Sequence, residues 1–174
     1  LIDYLNFNVK TLVTDFIAFD TLETVEAKNV YIPYININNY LFQNFGEFHY
    51  KHALSVFIEK LMQKENYNNK TMFVNIAENS FDVVVLEHKK LIFANSFSFE
   101  TEQDFIYYIL FTAEQLKLNV EEFKLFFTGT IENTSNLYTI AYKYIKNIAF
   151  LESDNVIFKH LESPKHSHFT LLGS

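Results

Sequence analysis

A mixed α/β fold, a sheet flanked by helices, is what this sequence predicts, and three observations carry it. Residues Thr71 to Phe99 read as three short apolar strands in a meander. A long apolar helix follows to about Lys117 and returns through one strand that stops at Gly129. A second helix then runs to Ile145. At 174 residues and 49% hydrophobic content, the chain can bury a real core as one domain or two small subdomains.

In the first half, Leu1 to Phe7 reads as the end of a helix. Leu12 to Phe19 alternates weakly and is expected as a strand. Asn29 to Ile35 is expected as a second strand, with Pro33 marking an edge or an end. Asn36 to Asn44 is a short helix stopping near Gly46, and Glu47 to Lys51 a further short strand. Ala53 to Lys64 is an amphipathic helix, because Leu54, Phe57, Ile58, Leu61 and Met62 recur at helical spacing. The polar run Asn66 to Lys70 reads as a linker, which predicts domains at 1–66 and 67–174.

The second half is more regular. Met72, Val74 and Ile76 share one face of a strand from Thr71 to Ala77. Phe81 to Glu87 is apolar on both faces, as a central strand requires. Glu87 to Lys90 is a polar turn, and Leu91 to Phe99 is the third strand. Thr101 and Asp104 form a capping box opening the next helix. Its core stripe is Phe105, Ile106, Ile109, Leu110, Ala113 and Leu116, while Tyr107, Tyr108 and Phe111 widen the apolar surface and predict burial on more than one side. Phe123 to Thr128 is a strand, and Ser135 or Thr134 caps the following helix. Two further strands are expected at Ile148 to Leu151 and Phe169 to Leu172.

Charge and composition exclude several functions. Net charge is −7, from 21 acidic and 14 basic residues, and no basic stripe is visible, so a nucleic acid is not expected as partner. All 14 basic residues are Lys, which removes the guanidinium clamp and the arginine finger. Cysteine is absent, so disulfides, thiol nucleophiles and Cys-based metal sites are excluded. No apolar run reaches the length of a membrane span, and a cytoplasmic location is expected.

The candidate chemistry is sparse. His166 and His168 would share one face of a strand, and His49 and His52 lie three apart. Neither pair has a third ligand in sequence, so no metal site is expected. Asp15 and Asp82 are lone carboxylates among strand apolars; such a group could be a catalytic base but is more often solvent-facing or satisfied by a turn. The aromatic share, 18%, is high, and Tyr107, Tyr108, Tyr138, Tyr142 and Tyr144 exceed what one helix-on-sheet contact needs. A protein partner is therefore expected beside a large aromatic core.

Together, the meander Thr71 to Phe99, the segment Thr101 to Tyr108, the passage Phe126 to Ile131 and the upstream Asn29 to Pro33 resemble a bacterial family of unknown function, found in Bacteroidetes, that is similar to actin-like ATPases. The resemblance implies two subdomains of ribonuclease-H-like topology around a cleft. Residues 1–66 would be the remainder of the first, whose opening hairpin is expected upstream of Leu1. Strand-then-helix passages at Glu47 to Lys64 and Phe123 to Lys146 would end the two halves.

The same resemblance implies where nucleotide would sit. One loop holds Asn75, Glu78, Asn79 and Ser80, and the other holds Thr128, Gly129 and Thr130. The first lacks the glycines that let backbone N–H groups wrap a phosphate, and Glu78 has the wrong sign. ATP and Mg²⁺ are thus compatible with the fold but poorly served by these loops, and no catalytic residue is assigned. The expected function is a non-catalytic or weakly nucleotide-binding interaction scaffold. The alternatives are an ATPase or small-molecule kinase with an unorthodox phosphate site, and a cytoplasmic adaptor of an envelope or pilus-type assembly.

Overall fold

The computed structural model describes residues 2–12, 14–64, 67–153 and 163–172. The chain divides into two compact units, Leu1–Glu59 and Lys60–Ser174, and the division falls inside a helix.

The first unit opens with α1 (Ile2–Asn8) and an antiparallel hairpin of β1 (Ala18–Leu22) and β2 (Ala27–Tyr31). Glu26, at φ 52, takes the left-handed conformation that lets the chain reverse between them. Helix α2 (Ile35–Phe45) stops where Gly46, at φ 82, donates its N–H to Phe42. Helix α3 (Ala53–Gln63) buries Leu54, Phe57, Ile58 and Leu61, the spacing that predicted it.

In this unit one expected strand starts late and another does not form. Residues 14–17 are irregular and the strand begins only at Ala18, because Asp15 closes a turn on Leu12. The Asp15 carboxylate accepts the Leu12 N–H at 2.7 Å, and the Asp15 N–H returns to the Leu12 carbonyl. Residues 47–51 are also irregular. No strand among the described residues pairs with them, and the chain beyond is pinned by the His52 N–H, which donates to Asp20 at 2.8 Å.

The second unit is a five-stranded sheet, ordered β5-β4-β3-β6-β7. Its strands are β3 (Thr71–Ile76), β4 (Ser80–Glu87), β5 (Lys90–Ser98), β6 (Lys124–Gly129) and β7 (Asn147–Phe150). The first three form an antiparallel meander, while β6 and β7 run parallel to β3. Parallel pairing demands crossovers, supplied by α4 (Glu102–Gln115) and α5 (Asn136–Tyr144). Both contribute to one core, in which Phe105, Ile109 and Ala113 of α4 and Ala141 of α5 join Met72, Val74, Ile76, Val83, Leu125 and Phe127 of the sheet.

Local chemistry fixes the helix starts. The Thr101 hydroxyl accepts the Asp104 N–H while the Asp104 carboxylate accepts the Thr101 N–H. Ser135, rather than Thr134, caps α5 by accepting from Tyr138. Helix α4 leaves part of its apolar surface exposed. Tyr107 and Phe111 are exposed and stack on each other, with centroids 5.9 Å apart.

The expected last strand is instead a short helix, α6 (Phe169–Leu172). His168, at φ 53, breaks any extended run, and the Leu171 N–H closes back on its carbonyl. Phe169 is fully buried.

Candidate functional site

In this sheet β3, β5, β6 and β7 all point the same way, so their carboxyl ends share one edge. Ligands of open α/β sheets bind in the crevice outside such ends. Three connections meet there: the turn at 77–79, the passage from β5 into α4, and the passage from β6 into α5. They enclose an open cavity of about 600 Å³. Glu78, Glu100 and Glu102 line it with Thr130, above the apolar Phe99 and Leu137. No lysine lines it among the described residues.

The two loops singled out in the sequence meet at this edge. Gly129 lies directly beside Ile76 in the parallel register of β3 and β6. Thr130 donates both its N–H and its hydroxyl to the Ile76 carbonyl, at 2.8 and 3.1 Å. A side chain on Gly129 would begin 2.1 Å from that carbonyl oxygen and 3.0 Å from Oδ1 of Asn75. The missing side chain therefore admits the protein's own backbone, which leaves no glycine cradle for a phosphate.

The remaining predicted residues are turned to structural tasks. Asn75 donates to Asp82 at 3.4 Å, and Asp82 accepts the Ser96 hydroxyl at 2.6 Å, giving a polar row across β3, β4 and β5. The Asn79 carbonyl accepts the Phe99 N–H, and the Ser80 carbonyl accepts the Ala77 N–H, which closes the turn. Thr128 is buried and donates to the His166 carbonyl at 2.6 Å. Of the seven residues, Glu78 and Thr130 line the cavity.

Sequence reasoning missed Glu100, Glu102 and Asn136. Asn136 donates to Glu102 at 2.7 Å and ties together the first turns of α4 and α5. The signal was in the topology: a helix that follows β5 starts at the same edge where β3 ends. It also missed the segment 163–168, which crosses the end of β6. The His166 carbonyl accepts from Gly129 N–H as well as from Thr128, and His166 Nε2 donates to the Ile131 carbonyl at 2.6 Å. Its ring stacks on Phe150 at 4.3 Å. His166 and His168 thus lie in a turn, not side by side on a strand. Among the described residues no three His, Asp or Glu gather as a metal site would require.

Electrostatics and donors argue the same way. Asp104, a member of the α4 cap, is held below the usual carboxylate range by the Thr101 side chain, then by the backbone N–H groups of Thr101 and Glu100. Those hydrogen bonds consume donors that a helix N-terminus would offer an anion. Among the described residues this edge offers three carboxylates, no cation and no open glycine loop, which is a poor fit for a triphosphate.

In the first unit a separate polar knot forms around the buried Asp20. Its carboxylate accepts from the Tyr31 hydroxyl at 3.0 Å and from the His52 N–H. Burial, then the hydrogen bond to Asp20, push the Tyr31 hydroxyl well above the ordinary tyrosine range.

A family model described as "Protein of unknown function (DUF3822)" matches residues 1–148. A crystal structure from Bacteroides thetaiotaomicron, described as a protein with actin-like ATPase fold and unknown function, superposes with a TM-score of 0.78 at 22% identity. The match covers 86% of this chain and 59% of that one, so this chain spans about three fifths of the neighbour's length. At that identity the likeness establishes the fold. No curated protein matches the chain.

Proposed function

The chain belongs to the DUF3822 family of proteins of unknown function and has an actin-like ATPase fold, and on that premise we propose that it is a non-catalytic or weakly nucleotide-binding interaction scaffold. One observation carries the reading. The cavity at the carboxyl edge of the sheet is lined by Glu78, Glu100 and Glu102, and the glycine beside it is filled by Ile76. A polyphosphate there would meet like charge with no compensating cation among the described residues.

In the same reading, residues 1–66 belong to a first actin-like subdomain and 67–174 to the second. The partner is a protein. The exposed aromatics Tyr107, Phe111 and Tyr142 supply the kind of surface that protein interfaces favour. The net charge of −7 works against nucleic acid. The reading is of a protein acting in the cytoplasm; no helix among the described residues is long and apolar enough to cross a membrane.

Calorimetric titration of the chain with Mg²⁺-ATP tests the proposal. The expected result is no saturation below millimolar nucleotide. Saturation well below millimolar, weakened by Thr130→Ala, would overturn it and favour an enzyme with an unorthodox phosphate site.

A further inference from the structure

Strand β5 ends the sheet order, so one of its long sides has no strand beside it among the described residues. A strand paired on one side leaves alternate N–H and C=O groups free on the other, and proteins blunt such edges with charges, prolines or bulges. Between Leu91 and Ser98, β5 carries no charge and no proline. Its blunting devices are Lys90 at its first position and a bulge. Val85 pairs with Phe93 and Leu86 with Leu91, which leaves Ile92 as the extra residue. From Phe93 to Ser98 the ladder is regular.

We propose that this edge pairs antiparallel with the same edge of a second copy of the chain, about a twofold axis at Asn95. Register with β4 places Phe93, Asn95 and Phe97 on the face shared by Val85, Val83 and Phe81. A twofold axis normal to the sheet keeps that face common to both copies, so residues of like parity must stand opposite each other. With Asn95 on the axis, Phe93 of each copy faces Phe97 of the other, and amide faces amide between them. Ala94 then faces Ser96. Shifting the axis to Ala94 or Ser96 sets phenyl rings against Asn95 instead.

Charge fits this register too. Two copies at −7 repel in general, but this edge is uncharged along eight residues. Lys90 and Glu100, which flank it, are exposed and opposite in charge, and an antiparallel pairing sets these opposite charges toward the same ends. Asn95 and Ser96 are exposed, and so is Ile92. The inference is independent of whether the loops at the carboxyl edge bind nucleotide.

The chain has no cysteine, which makes the test clean. Directly opposed residues on antiparallel strands have Cα atoms about 4.5–5.5 Å apart, within the span of a disulfide. Under mild oxidation Asn95→Cys should form a disulfide-linked dimer, while Ala94→Cys and Ser98→Cys keep free thiols. Wild-type protein should sediment as a dimer, and Asn95→Lys, which opposes two cations on the axis, as a folded monomer by circular dichroism. The proposal fails if the Asn95→Cys thiol stays free, if Ala94→Cys or Ser98→Cys cross-links as readily, or if wild type is monomeric at millimolar concentration. A dimer that persists in Asn95→Lys also defeats it, because association then uses another surface.

Discussion

Gly129 and Ile76 stand so close across β6 and β3 that a single methyl group on Gly129 would begin 2.1 Å from the Ile76 carbonyl oxygen. The contact is between two backbones, so neither partner can rotate away. Gly129 also sits at φ +87, where a side chain is strained regardless of space. Gly129→Ala should therefore cost at least about 3 kcal/mol, from strain plus forced separation of the two strands. Urea unfolding of the variant measures it. A loss below about 1 kcal/mol would mean that the edge can open.

The capping box of α4 makes a graded prediction. Thr101→Ala should cost about 1 kcal/mol, the usual worth of an N-cap side chain. The pH dependence follows from Asp104, whose folded-state pKa lies below its unfolded value. Its contribution is present above the unfolded pKa, near 4, and is lost as pH falls through the lower folded value. Thermal unfolding midpoints of wild type should fall more steeply in acid than those of Asp104→Asn. Parallel curves would contradict this.

Around Asp20 the expected behaviour is opposite in sign. Tyr31→Phe removes one of two donors from a buried carboxylate and should cost about 1–3 kcal/mol by chemical denaturation. The Tyr31 pKa is raised in the fold, so its contribution is present below the unfolded tyrosine pKa and is lost as pH rises through the folded one. Ultraviolet titration should show a late-ionising tyrosine that Tyr31→Phe lacks. The same late phase in Tyr31→Phe would exclude the buried knot.

Reversing charge at the cavity tests its character directly. Glu78→Lys with Glu100→Lys should give measurable binding of inorganic triphosphate where wild type gives none, each exchange adding up to about 1 kcal/mol at these exposed positions. Calorimetry at low salt is the readout. Equal behaviour of wild type and variant would show that the carboxylates are not what repels the anion.

The regular half of the molecule was legible because its signals are local. The alternation at Met72, Val74 and Ile76 and the Thr101–Asp104 box each specify geometry within a few residues. Errors arose where a distant or competing hydrogen bond decides the outcome. Asp15 turns back onto Leu12 instead of extending the chain, and Asp20 captures His52 from 32 residues away. Phe169 looked extended but coils after the left-handed His168. The candidate site was half legible for the same reason. Glu78 and Thr130 could be named from their loops, whereas Glu100, Glu102 and Asn136 join them only through the order of the strands.

The hold of His166 on β6 has a consequence for the order of assembly. Thr128 and Gly129 find their acceptor 38 and 37 residues further along the chain, in a segment beyond the span shared with the family. During synthesis, the end of β6 emerges with two donors unmatched and can pair with β3 before they are satisfied. The sheet edge is sealed only when residues 163–168 have been made and folded back. A nascent chain halted before that point should hold the core of the second unit and yet exchange the Gly129 amide proton freely, while the finished protein protects it.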